Sequence, residues 1–353
     1  EVLSDPEGGF FASQDADVTP DDEGGYFTWT EEEFRQTLDP DEYAVLSSHF
    51  LDPRGSMHHD PSKKVLFLFR QPEDIAGSFG KPLDDIRRTI SRGREKLLAA
   101  RIRRETPFID RTLYTSLNGM LIRAYFHAYA VLGDEEILAF GKKSLERILR
   151  ERLVDGRLLH ADSIPALLDD YIHLIDALVN GYEATAEKRY LAQADELMSA
   201  CIEKFYDPGE GGFFDTEEEV LGTRMKKIED VPHPSANALA VQLLLKLALM
   251  TGNNEYRQRA EQSLRIFVDL AREIGAHAGT YYCGLDASFR MLKLTVEAAP
   301  ESELARAARS LSGKMYTAIV YGDDRGRVIP CKGSICFEPV SDPSSLFEVC
   351  AKL

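Results

Sequence analysis

The sequence has a single tryptophan among 353 residues and only five cysteines. Cys201, Cys283, Cys331, Cys336 and Cys350 are too few and too scattered for a disulfide-stapled secreted scaffold, which fits a reducing, cytoplasmic setting. No C-x-x-C redox motif occurs and no Cys/His cluster has zinc spacing, so neither a metal nor a cofactor is expected. Positive charge is also short. With 42 Lys and Arg against 59 Asp and Glu the net charge is -17, and nucleic-acid backbones or anionic membranes would repel such a chain. Long apolar runs are missing as well. The most apolar stretch, "ANALAVQLLLKLALM" at 236–250, carries Asn237, Gln242 and Lys246 and is shorter than the ~20 apolar residues that span a bilayer. The opening "EVLSDPEGG" has neither an initiator Met nor a signal-peptide pattern and reads as the continuation of a longer protein.

What the chain does have is apolar content for a large core, 44% of residues, and a repeat. Three segments align: "LGDEEILAFGKKSLERI" from Leu132, "TAEKRYLAQADELMSAC" from Thr185 and "TGNNEYRQRAEQSLRIF" from Thr251. Ile137, Tyr190 and Tyr256 share one register, as do Gly141, Ala194 and Ala260, then Leu145, Met198 and Leu264, then Ile148, Cys201 and Phe267. This i, i+4, i+8, i+11 stripe is one apolar face of an amphipathic helix, and it makes Cys201 core filler. Each segment follows a more apolar partner, beginning near Ser116, Ile164 and Pro234. A helix apolar on nearly all sides must be covered on nearly all sides, so the pattern predicts inner helix, turn, outer helix, repeated.

A glycine-aromatic corner also recurs, "DPEGGFF" at 5–11 and "DPGEGGFF" at 207–214. It is expected to leave an outer helix, with Gly making the turn and Phe-Phe a short strand across helix ends; the first copy would then close a hairpin begun upstream. From about Arg290 the pattern changes to β-rich runs around one helix, a small α/β appendage.

These features, together with "GGFFASQDAD", "EGGYFTWTEEEF", "LLDDYIHLIDALVNGYEAT", "RMKKIEDVPHPSANALA" and "PCKGSICFEPV", resemble the thioredoxin-domain-containing, spermatogenesis-associated-protein-like family. The resemblance implies a mainly α fold, an (α/α)6-type toroid of helical hairpins related to N-acylglucosamine 2-epimerases and glycosidases. It would cover residues 1–292, incomplete at its N-terminal hairpins, with the α/β extension at 293–353. It further implies a sugar or oligosaccharide ligand and a thioredoxin-like domain upstream as partner. Either a sugar epimerase or glycosidase using cavity carboxylates or a non-catalytic module working with that domain fits the resemblance. The chain has Leu117-Asn118-Gly119 where the family has Trp-Asn-Gly, which removes a sugar-stacking face, and Asp110-Arg111 where it has Asp-Lys.

In such a toroid, polar residues at inner-helix ends and entering loops face the cavity. Asp15, Asp17 and Glu23 with Tyr26 and Trp29 combine carboxylates with aromatic faces, as sugar sites do, Asp17 being the catalytic candidate; the alternative is an Asp-rich turn with a helix cap at Thr30. Asp169, Asp170 and Tyr171 interrupt an apolar helix, with Asp170 the candidate acid. Arg224, Lys226, Asp230, His233, Ser235 and Asn237 approach the most buried helix, where Asp230 and His233 are the proton-transfer candidates. Asp110, Arg111 and Asn118 are expected to orient a ligand or bridge two hairpins. His127 and His173 read as hydrogen-bonded core, and Cys331 and Cys336 as structural or disulfide-forming.

Overall fold

The structure, a computed structural model, describes residues 2–219 and 222–353. The chain groups into two compact units: Ser13–Arg111, and the segment up to Ala12 together with Thr112–Leu353. The β-rich segment expected from residue 293 begins with a strand at Leu292 and groups with the helices of the larger unit.

The smaller unit contains β1 (Ser13–Gln14), β2 (Trp29–Thr30), α1 (Glu31–Thr37), α2 (Pro40–Phe50), β3 (Lys63–Lys64), α3 (Pro72–Phe79), α4 (Leu83–Ile102) and β4 (Ile109–Asp110). β1 pairs with β4 and β2 with β3, both antiparallel. Thr30 and Glu33 form a capping box at α1, satisfying two N-terminal donors reciprocally. Trp29, Phe34, Leu46, Ile75, Ile86 and Leu97 make the core.

The larger unit is built from three hairpins: α5 (Thr115–Leu132) with α6 (Glu135–Arg152), α7 (Leu168–Thr185) with α8 (Lys188–Phe205), and α9 (Ala236–Thr251) with α10 (Asn254–Ile266). Between α6 and α7 lie three short strands, β5 (Leu153–Val154), β6 (Arg157–Ala161) and β7 (Ile164–Pro165). The inner helices end on left-handed residues, Gly133, Ala186 and Gly252, where the chain reverses into the outer helix. The predicted outer-helix stripe is buried in all three hairpins, apart from Ile137, which is half-buried. α7 is the most enclosed helix, and Gly119 explains one contact. A Cβ on Gly119 would stand 2.6 Å from the His173 backbone, so α5 and α7 meet there with no room for a side chain.

Both corners are held in the same way. Gly8 and Gly9 have φ of +94° and +90°, Gly211 and Gly212 of +96° and +73°, a region in which side-chain-bearing residues are strained. The Phe10 N–H donates to Asn118 Oδ1 at 2.8 Å and its carbonyl accepts from Asn118 Nδ2 at 3.1 Å. Phe213 is clamped identically by Asn237, at 2.7 Å on both sides. A serine of the outer helix completes each corner, Ser144 accepting from Gly9 N–H and Ser263 from Gly212 N–H. Each corner therefore docks onto the hairpin that follows it. The clamp spans 24 residues at the second corner and 108 at the first, and the smaller unit, Ser13–Arg111, falls within the longer span.

After α10 come α11 (Val268–Ile274), α12 (Gly279–Arg290), β8 (Leu292–Glu297), α13 (Glu303–Ser310), β9 (Thr317–Tyr321), β10 (Arg327–Lys332), β11 (Ile335–Cys336) and α14 (Leu346–Ala351). The sheet order is β11-β10-β8-β9, with β8 and β9 parallel across the α13 connection. The sheet is tied to the C-terminal end of α7. Glu183 accepts from Ile319 N–H at 3.0 Å and Lys246 Nζ at 2.7 Å, and Tyr321 donates its hydroxyl to the Glu183 carbonyl. Cys331 and Cys336 form a disulfide between β10 and β11.

Candidate functional site

The N-terminal end of α7 gathers the most unusual electrostatics of the larger unit. The loop leaving the second corner is fixed there, because Leu168 N–H donates to the Asp215 carbonyl at 3.2 Å and Asp215 N–H donates to the Met225 carbonyl at 2.8 Å. Asp215 is thereby placed beside Asp169. Burial raises the pKa of both carboxyls; Asp169 raises that of Asp215 further, and Asp170 that of Asp169, while Lys227 opposes the shift at both and His233 opposes it at Asp169. Asp215 is pushed up to about 6.

A carboxyl raised in this way holds its proton more tightly folded than unfolded. Its stabilising contribution is complete below the unfolded value and is lost as pH rises through the folded value, about 6 for Asp215. Near neutrality the pair costs stability, a cost typical of functional acids.

Histidines stand near Asp169. His173 stands one turn beyond Asp169 on α7, 2% exposed, with Nε2 buried and unpartnered. Burial first, then His233 and Arg123, lower its pKa to about 4, so it is a neutral imidazole. It is not the fully hydrogen-bonded core residue expected. The His233 ring packs edge-on against it, centroids 5.6 Å apart. His160, on β6, also opposes the shift at Asp169, and its ring stands 4.9 Å from Tyr114.

The other expected residues have different parts. Asp170 is fully buried, and its two oxygens accept Ser116 N–H and Leu167 N–H at 2.9 Å each and meet His160 Nδ1. It ties the N-termini of α5 and α7 together and is not an available acid. Asp230 does the same for α9 and α12, accepting from Ser235 N–H at 2.9 Å and Thr280 N–H at 2.7 Å. Ser235 caps α9. Asn118 and Asn237 are consumed by the corner clamps. Arg224 donates to the Thr216 and Lys204 carbonyls and Lys226 pairs with Asp207 at 2.6 Å, both lying over the Phe214 ring and stapling the second corner. Tyr171 is 2% exposed and packed on Phe205, a core residue whose phenol burial pushes up to about 12. His127 is half-buried, not core. It lines a recess of about 110 Å³ with Arg123, Asp176, Asn180, Gln242, Lys246 and Thr317, and burial lowers its pKa.

The smaller unit holds the remaining candidates. Trp29 is 3% exposed, between Phe34 and the Arg104 guanidinium 4.1 Å from its ring, so it offers no stacking face to a ligand. Asp17 accepts from Gly24 N–H at 2.6 Å, Glu23 pairs with His59 at 3.1 Å, and Asp15 is an exposed residue whose N–H meets the Phe108 carbonyl. Asp110 lies in β4 opposite Ser13, next to Arg111. Of this group only Tyr26 lines the unit's open groove of about 470 Å³, together with Asp22, Glu33, Lys63 and Arg104. Among the described residues no group of three His, Cys, Asp or Glu is placed to hold a metal ion, and no helix is long and apolar enough to cross a membrane.

No protein-family model matches the chain. Spermatogenesis-associated protein 20 of Homo sapiens is 28% identical over 338 residues, covering 83% of this chain and 42% of that protein. The Mus musculus protein of the same name is 28% identical over 318 residues, covering 77% and 40%. The chain is a homologue of spermatogenesis-associated protein 20. It spans about two fifths of the length of these relatives. Among solved structures, an α-mannanase of Bacteroides thetaiotaomicron matches at TM-score 0.41 and 12% identity, covering 60% of this chain and 58% of that one. A cellobiose 2-epimerase of Bacillus thermoamylovorans matches at TM-score 0.37 and 15% identity, covering 44% of each.

Sequence reasoning missed Asp215, Lys227 and His160. Asp215 had a signal: it follows the second corner where Ala12 follows the first, so the two copies differ there by an acid.

Proposed function

We propose that the N-terminal end of α7 is a proton-transfer site acting on a carbohydrate, in the manner of a sugar epimerase. The observation that carries this reading is the pair Asp169 and Asp215, two partly buried carboxyls with raised pKa values beside imidazoles. Epimerisation next to a carbonyl needs an acid for the oxygen and a base for the neighbouring C–H. A carboxylic acid still protonated near pH 6 supplies the first. His233, in contact with His173 at the edge of the pair, supplies a proton carrier on one face of the substrate. The carbohydrate class rests on the family resemblance of the sequence, as does a thioredoxin-like domain working beside this one in the longer protein.

A second reading, glycoside hydrolysis, is favoured by the same two carboxyls, one as acid and one as base or nucleophile. Proton NMR of the protein with reducing sugars and short oligosaccharides in deuterated water separates them. Loss of a C2 proton signal identifies epimerisation, and new anomeric signals identify hydrolysis. Either is expected to fall 10²- to 10⁴-fold in Asp215→Asn. Unchanged spectra across the panel, with wild-type protein, would leave a non-catalytic module and overturn the proposal.

A further inference from the structure

Asp170 and His160 form a dyad that the structural part of Asp170 does not require. The carboxylate is 0% exposed and already bears one backbone N–H on each oxygen, from Ser116 and Leu167. One N–H at the start of each helix is thus paired without a third donor. His160 nevertheless points Nδ1 at it, 3.0 Å from Oδ1 and 2.9 Å from Oδ2. An acceptor-only carboxylate facing Nδ1 requires a proton there. In the neutral ring Nε2 is then the unprotonated nitrogen. The His160 side chain is 25% exposed, and Nε2 has no hydrogen-bond partner among the described residues. The ring is steadied by Tyr114, and its charge is felt at Asp169.

We infer that His160 is the base of this site and that Asp170 is its positioning residue, fixing the tautomer that leaves Nε2 open. This arrangement serves a carbohydrate with a free carbonyl, and it rests on the proposed epimerase reading. The C–H bond beside the carbonyl breaks. Its proton goes to His160 Nε2, and its electron pair forms the C=C bond of an enediol as the carbonyl oxygen takes the proton of Asp215. Protonated His233 then delivers a proton to the same carbon from the opposite face, and the enediol oxygen returns its own to Asp215. Water carries the proton of His160 back to His233. No oxidant or reductant is needed, and the carbon skeleton is unchanged.

The buried carboxylate that orients a histidine is a recurrent device in proton-transfer sites, where it selects the tautomer and stabilises the imidazolium that forms. Here it is the same side chain that joins two helices, so the orientation of His160 is tied to the closure of α5 on α7. That tie is also why Asp170 itself is a poor first variant.

The test uses ring nitrogen NMR of the wild-type protein, with His160 assigned by comparison with His160→Gln, and the sugar exchange assay on both. His160→Gln keeps an N–H to offer Asp170 but has no basic nitrogen, and its position on a short strand at a quarter exposure predicts an unchanged fold. The expected results are a protonated Nδ1 with unprotonated Nε2, and at least a 100-fold loss of solvent exchange at C2 in the variant. A proton on Nε2 with Nδ1 bare would overturn the dyad. Wild-type exchange surviving in His160→Gln would overturn the role of His160 alone. No exchange by the wild-type protein would remove the proposed activity, and this inference with it.

Discussion

Asp170→Ala is expected to destabilise the protein by about 3–5 kcal/mol, because it leaves two helix N-termini facing an empty buried site. Each carboxylate oxygen accepts one backbone N–H at 2.9 Å, one from Ser116 of α5 and one from Leu167, which immediately precedes α7, and the residue is fully buried. Hydrogen bonds to a charged group are worth about 1.5–3 kcal/mol each, and the abandoned donors cost more where water does not reach them. Asn is not a conservative alternative. Whichever way its amide is turned, an NH₂ group faces a backbone N–H. Urea denaturation of Asp170→Ala measures the loss, and a change below about 1 kcal/mol would mean that water replaces the carboxylate and that the side chain is not the joint described here.

Asn237→Ala is expected to cost about 2–4 kcal/mol, and Asn118→Ala about the same. In each case one amide satisfies both the N–H and the carbonyl of a buried phenylalanine, Phe213 at 2.7 Å on both sides and Phe10 at 2.8 and 3.1 Å. Alanine strands both groups of a residue whose ring is 0% exposed in one copy and 6% in the other. The corners belong to different hairpins and share no partner, so the two losses are expected to add in the double variant. Denaturation midpoints of the singles and the double measure this. A double variant no less stable than either single would contradict independent clamps.

The hairpins were legible because their signal is local. A helix repeats its face every few residues, so the stripe through Tyr190, Ala194, Met198 and Cys201 declares both the helix and its buried side. The mainly α fold and the strands after Arg290 followed from such patterns. The corners were legible as turns, through paired glycines. What they bind was not, because Asn118 is 108 residues from Phe10.

The site was harder to read for the same reason. Tandem acids at 169 and 170 look alike in sequence, yet successive helix residues point about 100° apart. One turns into the joint between α5 and α7, and the other acts on Asp215. Trp29 illustrates the opposite error: an aromatic beside acids reads as a sugar platform, but the ring fills the core of the smaller unit. Asp215 needed knowledge of where its loop lands, and that is set by one backbone hydrogen bond to Leu168.

The central claim is that Asp169 and Asp215 are a coupled pair, one of which keeps its proton well above the ordinary carboxylate range. Carbon-13 NMR of the aspartate carboxyls as a function of pH tests it without any substrate. The account predicts a carboxyl titrating at about 6 that disappears in Asp215→Asn, and a fall in its midpoint in Asp169→Asn as its carboxylate neighbour is removed. It also predicts that wild-type stability falls as pH rises through 6, and that Asp215→Asn flattens this slope. Both carboxyls titrating at the ordinary value of 3.8, with the Asp215 midpoint unmoved in Asp169→Asn, would contradict the account.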